Sequence, residues 1–187
     1  MRRSRRGFPV RRIPFRRRRD PLVVLVLAIL VAILAWSQTQ RPPSPPEALD
    51  AGEYQVERVI DGDTILLTNR ARVRLIGVNT PETVKPGHPK EPWGEEAKEF
   101  TRQFVAGGQV RLELDRERQD KYQRFLAYVW VNEQMLNEEL IRAGLGRAEP
   151  GYRYSPAIKR RFLQAQQEAK AAGRGIWSGA AARPDAA

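Results

Sequence analysis

Hydrophobic and polar positions between residues 54 and 131 fall into short runs typical of β-strands. Five runs of five to seven residues stand out: Tyr54–Ile60, Thr64–Thr68, Arg72–Val78, Val110–Leu114 and Leu126–Val131. Asp61-Gly62, between the first two runs, is a hairpin signal. Pro81 stops regular pairing after the third run, because proline lacks the backbone N–H. The pattern therefore predicts five short strands.

Three other segments repeat apolar residues at helical spacing. The predicted boundaries are Pro92 to Gly107-Gly108, Asn137 as the N-cap of a short helix, and Ser155-Pro156 to Gly173. Glu95 and Glu96 suit the first turn of the first helix, because acidic groups favour the positive end of the helix dipole. Strands that come first, with helices interleaved and then terminal, predict an α+β fold in which a five-stranded barrel packs against three helices.

An uncharged apolar run precedes this region. It extends for sixteen residues from Pro21 to Trp36 and follows four arginines, from which only Asp20 separates it. Signal-peptide cores span ~7–15 residues and membrane-spanning helices ~17–25, so the run lies between the two classes. We favour a retained transmembrane anchor over residues 21–37, with a cleaved signal segment and secretion as the alternative. The basic tail, residues 1–20, should then stay cytoplasmic and the rest of the chain should be extracytoplasmic.

The ends of the folded domain follow from composition. Four prolines within residues 41–46 favour an extended spacer, so residues 38–50 are predicted to be a Pro-rich linker. Residues 179–187 are small and Ala-rich, without an apolar pattern, and are predicted to be a disordered tail. One domain over residues 51–178 remains between them.

Charge and composition narrow the chemistry. The net charge of +11 comes mainly from ten arginines in the first twenty residues, so it does not indicate nucleic-acid binding by the domain. The chain has no cysteine and one histidine, His88. Disulfides, cysteine metal sites and thiol nucleophiles are excluded, and a Ser-His-Asp triad is disfavoured. Any metal should be a hard cation with oxygen ligands.

A candidate for such a site lies in two neighbouring segments. Asp63 opens the second predicted strand, and Asn79 and Glu82 follow the third strand, which carries Arg74. If the two strands are neighbours, these oxygens converge beside the arginine, where a hard cation can also bind a substrate phosphate. The alternative is a solvated Asp-Gly-Asp-Thr turn and an exposed strand arginine.

Three separated segments make the pattern more specific. Residues 59–64 read VIDGDT, residues 73–82 read VRLIGVNTPE and residues 120–128 read DKYQRFLAY. In composition, order and separation they closely resemble the signature segments of the staphylococcal nuclease family. The resemblance covers residues 51–178. It implies an OB-fold barrel with three helices that hydrolyses the phosphodiester bonds of DNA and RNA with one calcium ion.

The resemblance also implies roles for individual residues. Asp63 matches a carboxylate ligand of calcium, Thr80 a backbone-carbonyl ligand, Glu82 the carboxylate that orients or deprotonates the attacking water, and Arg74 and Arg124 the arginines that bind the scissile phosphate. Lys121 and Tyr122 match positions near the nucleotide pocket. A looser alignment places Tyr152 and Tyr154 at the family's pocket tyrosines.

Two positions depart from the family pattern. Asn79 stands where the family has a second aspartate ligand, and its neutral amide should lower calcium affinity. Gln123 replaces the usual glycine before Arg124, which changes how the loop presents that arginine.

A non-catalytic OB-fold module that binds nucleic acid or protein at the membrane is therefore the alternative to a monomeric nuclease domain. An interaction domain without any nucleic-acid role is a third hypothesis.

Overall fold

The computed structural model describes residues 20–39, 44–83 and 91–179, with the side chains of the first range given to residue 37. Most of the predicted tails, and residues 84–90 with His88, lie outside these residues. The chain divides into two compact units at residues 42 and 43. The first contains helix α1, Pro21–Thr39. Among the described residues, no helix has both the length and the apolar character that membrane crossing requires.

The second unit is built on a closed barrel. Its strands are β1 Gly52–Asp61, β2 Thr64–Leu67, β3 Arg72–Leu75, β5 Gln109–Glu113 and β6 Phe125–Val131. Strand β1 pairs antiparallel with β2 and β5, β2 with β3, and β5 with β6. A parallel pairing of β3 with β6 closes the barrel. The predicted α+β class and five-stranded barrel are confirmed.

The third predicted strand is interrupted at Gly77. Strand β3 ends at Leu75, and Val78–Asn79 forms a separate strand, β4, which pairs with β8, Arg147–Ala148. Gly77 has φ +78°, and a side chain there would meet the Phe162 and Tyr154 rings at 2.8 Å. Glycine is needed because this left-handed conformation and this close approach both exclude a Cβ. The break redirects the chain that carries Asn79.

Three helices pack on the barrel, as predicted. They are α2 Gly94–Phe104, α3 Leu136–Arg142 and α4 Pro156–Ala171, and a short strand β7, Gln134–Met135, precedes α3. A 3₁₀ turn, Gly175–Trp177, follows α4. The predicted start of α2 at Pro92 is wrong by two residues, because Trp93 has φ +71° and cannot be helical.

Asn137 is not the N-cap that the sequence predicted. Met135 occupies that position, and Asn137 is fully buried inside α3. Its Oδ1 accepts a hydrogen bond from the Val129 N–H, and its Nδ2 donates to the carbonyls of Ile76 and Ala127. The side chain therefore ties α3 to backbone groups of β6 and of the segment after β3.

The core fills the barrel and continues under the helices. Its largest fully buried side chains are Phe162, Ile65, Leu67, Leu75, Ile76, Leu112, Leu126, Met135, Leu136, Leu140, Ile141 and Val73. Leu49 is also buried in this cluster, although residues 38–50 were predicted to be a linker. The folded domain therefore includes the last residues of that segment, because burial of an apolar side chain stabilises the folded state.

Candidate active site

Six of the predicted site residues line one open cleft of about 510 Å³ beside β2 and β3. They are Asp63, Arg74, Asn79, Glu82, Tyr122 and Arg124. Arg72 lines the same cleft and was missed by the sequence reasoning. Its position offered a signal, because residues two apart on a strand point to the same face, as Arg72 and Arg74 do.

Asp63 is held in place by its neighbours. Asp63 is only 6% exposed. Its Oδ1 accepts a hydrogen bond from the Thr64 hydroxyl at 2.9 Å. Oδ2 accepts from the backbone N–H of Thr80 at 3.0 Å and from its hydroxyl at 3.1 Å. These bonds connect the β2 strand to the segment after β4, and they fix the direction of a buried carboxylate that would otherwise be costly.

Arg74 completes this buried cluster. Its Nη1 lies 2.9 Å from Asp63 Oδ2 and donates to the carbonyl of Val78 at 2.7 Å. Its Nη2 donates to Asn79 Oδ1 at 3.1 Å. The Asp63 carboxylate and the Asn79 amide oxygen thus both contact the positively charged guanidinium group of Arg74. Their oxygens are therefore close enough to contact one cation together.

The turn before Asp63 is held by helix α2. The hydroxyl of Thr101 donates to the Gly62 carbonyl at 2.5 Å, and a Cβ on Gly62 would lie 2.8 Å from both Ala97 Cβ and the Thr80 hydroxyl oxygen. The hydroxyl of Thr83 donates to Asp61 Oδ1 at 2.7 Å. Because nothing larger than glycine fits between the helix and Thr80, the turn and the helix together set the position of Asp63.

Arg124 is held by Asp120. Its Nε donates to Asp120 Oδ2 at 2.6 Å, and its backbone N–H donates to Oδ1 at 3.0 Å. The same Oδ1 accepts from the Tyr122 N–H at 2.8 Å. Gln123 has φ +61°, the left-handed conformation that glycine adopts most readily. The loop geometry is therefore reached without the glycine, at a steric cost of about 1–2 kcal/mol.

Tyr122 and Lys121 stand at the rim of the cleft. The Tyr122 residue is 62% exposed, and its ring lies 5.4 Å from the Arg124 guanidinium carbon and 5.1 Å from Lys121 Nζ. Cations at this distance from an aromatic ring are attracted by its quadrupole. An exposed ring with two cations presents an apolar surface and positive charge to the same ligand.

The two provisionally assigned tyrosines have different surroundings. Burial raises the pKa of Tyr152, while the positive charges of Arg74 and Arg124 oppose the shift, which places its half-buried hydroxyl within the electrostatic reach of the cleft. Tyr154 is 3% exposed, and its hydroxyl donates to the Glu149 carbonyl. Its ring packs 6.0 Å from that of Phe162 in the core, and its substrate-binding assignment stays a prediction.

Glu82 lies at the opening of the cleft, one residue after Pro81. Its backbone N–H donates to Glu91 Oε2 at 3.2 Å, which joins the two sides of the segment 84–90. The described residues contain no cluster of three His, Cys, Asp or Glu side chains able to hold a metal. The carboxylates of Asp61 and Glu82 line the cleft with that of Asp63, and Asn79 Oδ1 adds a neutral oxygen, so a cation there would have carboxylate and amide oxygens at the same opening.

The arrangement defines a class of protein. Two arginines that remain protonated at any working pH match the charge that a phosphodiester develops on its nonbridging oxygens during cleavage. Carboxylates at the same opening can hold a cation and orient water. A small OB-fold barrel with this set of groups is a phosphodiester hydrolase.

Comparison with known proteins agrees with this class. The family model for "Staphylococcal nuclease homologue" matches residues 72–179. The chain is 41% identical to the thermonuclease of Staphylococcus hyicus over 84% of this chain and 95% of the relative, and 45% identical to that of Staphylococcus intermedius over 83% and 95%. It is 36% identical to endonuclease YncB of Bacillus subtilis over 76% of this chain and 71% of the relative.

The chain belongs to the staphylococcal nuclease family. It is a hydrolase, a nuclease of that type, and nucleic acid is its substrate.

Proposed function

We propose that this nuclease is a calcium-dependent endonuclease that cleaves DNA, RNA or both outside the cytoplasm. The observation that carries the proposal is the convergence of Asp63 and Asn79 on the guanidinium group of Arg74, at 2.9 and 3.1 Å. Oxygen atoms from a carboxylate and an amide are a donor set that calcium accepts, whereas zinc and copper favour nitrogen and sulfur.

The residues that would hold calcium are Asp63, Asn79 and the backbone carbonyl of Thr80. When bound, the ion supplies positive charge to the substrate phosphate and neutralises charge that develops there. Only one of its ligands would be charged, so we propose that the site binds calcium weakly and works at the high calcium concentrations of an extracellular setting.

Different side chains bind the phosphate, orient the water and bind the nucleotide. Arg74 and Arg124 bind the nonbridging oxygens of the scissile phosphate through paired N–H donors. Glu82 orients the attacking water and accepts its proton. Tyr122 and Lys121 bind the neighbouring nucleotide, the tyrosine by stacking and the lysine by charge. Burial raises the pKa of Tyr152 above its usual value near 10, so its hydroxyl stays a hydrogen-bond donor well into the alkaline range.

The test uses the full-length chain in mild detergent with denatured DNA and RNA, in a calcium series and in chelator. We expect cleavage that requires calcium and is abolished on its removal. Glu82→Gln and Arg124→Lys should each lower turnover by about 10²–10⁴-fold, while Arg58→Lys, an exposed residue outside the cleft, should not. Binding of DNA without cleavage at any calcium concentration would favour the non-catalytic binding module instead.

The location outside the cytoplasm is proposed from the sequence. The apolar segment at residues 21–37 follows an arginine-rich tail, which favours export of what comes after it, either with a retained anchor or after cleavage. Expression of the chain with a C-terminal tag, followed by fractionation and protease treatment of intact cells, tests this. Protection of the tag in the cytoplasmic fraction would contradict export.

A further inference from the structure

A second recess lies next to the active-site cleft. It measures about 500 Å³, and its walls include Pro45, Pro46 and Glu47 on one side and Arg72, Gln119 and Tyr122 on the other. We call it the linker recess, because its first wall comes from the segment that the sequence predicted to be a free spacer. The volume falls within the ~300–1,000 Å³ that is usual for small-ligand sites.

The linker recess and the cleft are adjacent and share two lining residues. Arg72 and Tyr122 line both of them, so one arginine and one exposed ring form the boundary between the two spaces. A polynucleotide whose scissile phosphate lies between Arg74 and Arg124 must continue beyond the cleft in order to be cut internally. The recess is a space into which such a strand can continue past Tyr122.

The chemistry of the walls suits a nucleotide. The Tyr122 ring is 62% exposed, and every base has a face that stacks on an aromatic side chain. Arg72 can bind a phosphate, and the Gln119 amide can donate and accept hydrogen bonds at a base edge. Pro45 and Pro46 add a rigid apolar wall without a backbone N–H.

We propose that the linker recess is a subsite for a nucleotide that flanks the scissile one in a single-stranded substrate. This rests on the nuclease activity and extends it to longer substrates. The backbone of the strand follows the Arg72 side, and the base lies between Tyr122 and the prolines. Glu47 is exposed on the opposite wall, where its negative charge repels phosphate and limits affinity.

Glu47 gives the sharpest test, because it lines the recess but not the cleft. Binding of fluorescent oligodeoxythymidylates to the full-length chain is measured by anisotropy at low salt in chelator, so that no cleavage occurs. We expect Glu47→Lys to tighten binding of an octanucleotide about threefold to tenfold and to steepen its salt dependence by about one unit of log–log slope. Binding of a dinucleotide, which fills only the cleft, should be unchanged.

Glu53→Lys is the matched control, because it makes the same charge change in a different recess, beside Arg111 and Trp130. We expect it to affect both ligands slightly and equally. A second variant, Pro45→Ser with Pro46→Ser, removes the apolar wall and should weaken the octanucleotide alone. Equal effects of Glu47→Lys and Glu53→Lys on the octanucleotide would overturn the proposal, as would equal effects of Glu47→Lys on the two ligand lengths.

The outcome for the subsite is separable from that for the enzyme. If the wild-type chain cleaves DNA with calcium, but neither recess variant changes the affinity for the octanucleotide, only the subsite proposal is wrong. If the wild-type chain cleaves neither DNA nor RNA, the proposed function fails first.

Discussion

The guanidinium group of Arg74 joins Asp63 and Asn79, donating to Asn79 Oδ1 at 3.1 Å while its Nη1 lies 2.9 Å from Asp63 Oδ2. Arg74 is 5% exposed, so this bridge is shielded from solvent. An amide at position 79 contributes an oxygen but no charge. Within this bridge, one carboxylate therefore balances one buried arginine.

Asn79→Asp should lower the calcium concentration needed for half-maximal cleavage by roughly tenfold, because a second negative charge within a few ångströms of the cation adds about 1–2 kcal/mol after solvent screening. Calcium titrations of the cleavage rate and of binding by calorimetry check this. Asn132→Asp, the same change in a β-turn outside the cleft, is the control. An unchanged calcium curve would show that residue 79 does not contact the ion.

Asp120→Asn should lower turnover by about tenfold with a smaller effect on KM. The carboxylate holds both the side chain and the backbone of Arg124, and its loss leaves the arginine without a fixed direction, which weakens a charge-assisted bond. Steady-state kinetics measure the turnover number and KM separately. Glu57→Gln removes an ion pair of exposed residues with Arg70 and should leave both constants unchanged. A purely structural role for Asp120 would lower stability without changing turnover per folded molecule.

Gly62→Ala should destabilise the domain by about 1–3 kcal/mol, because its new methyl group would lie 2.8 Å from Ala97 Cβ and from the Thr80 hydroxyl oxygen. It should also reduce activity, since Thr80 orients Asp63. Gly107→Ala adds the same methyl group with no atom within 4 Å, so its effect should stay within about 1 kcal/mol. Urea unfolding of both variants compares them directly, and equal stabilities would refute the steric argument.

Asp115 should make stability depend on pH. Burial alone would raise the pKa of its carboxyl, but hydrogen bonds from the Tyr128 hydroxyl and the Ser155 and Arg116 backbone N–H groups outweigh burial and lower it below 3.8. Because the folded state favours the ionised form, this contribution is present above about pH 4 and is lost as the pH falls through the folded pKa.

Asp115→Asn is therefore expected to cost about 1.5–3 kcal/mol at pH 7, the range for hydrogen bonds to a charged group. The difference from the wild-type chain should shrink as the pH falls below about 4. Urea unfolding at a series of pH values measures it. A difference that is constant from pH 7 to pH 2 would mean that the charge of Asp115 contributes nothing.

Local patterns in the sequence were sufficient for most of the secondary structure. The five strands and three helices were predicted because alternation, helical spacing and turn residues act over a few positions. The end of β3 at Leu75 was missed, because Gly77 was read as part of a strand. Its φ is +78°, and the rings of Tyr154 and Phe162, which come from a distant part of the chain, leave no room there for a Cβ.

The same distinction applies to single residues. Asn137 had the residue type and the position of an N-cap, but its three hydrogen bonds are made with backbone groups of Val129, Ile76 and Ala127. Tyr154 matches a pocket tyrosine by position, and its ring packs beside Phe162 in the core, a contact that local sequence did not indicate. In both cases distant elements supply the contacts, because a side chain bonds whatever the fold brings within reach.

The sequence alone determined which groups were available for chemistry. With no cysteine and one histidine, the groups left for chemistry were mainly carboxylates, amides, hydroxyls, lysines and arginines, and three ordered segments indicated which of them act. Only the tertiary structure decided how they meet. Closure of the barrel by β3 against β6 brings the strand that carries Arg74 beside the one that follows Arg124. The tertiary structure also decided that Pro45, Pro46 and Glu47 line a recess with Arg72, because these residues are far apart in the chain and only the fold brings them together.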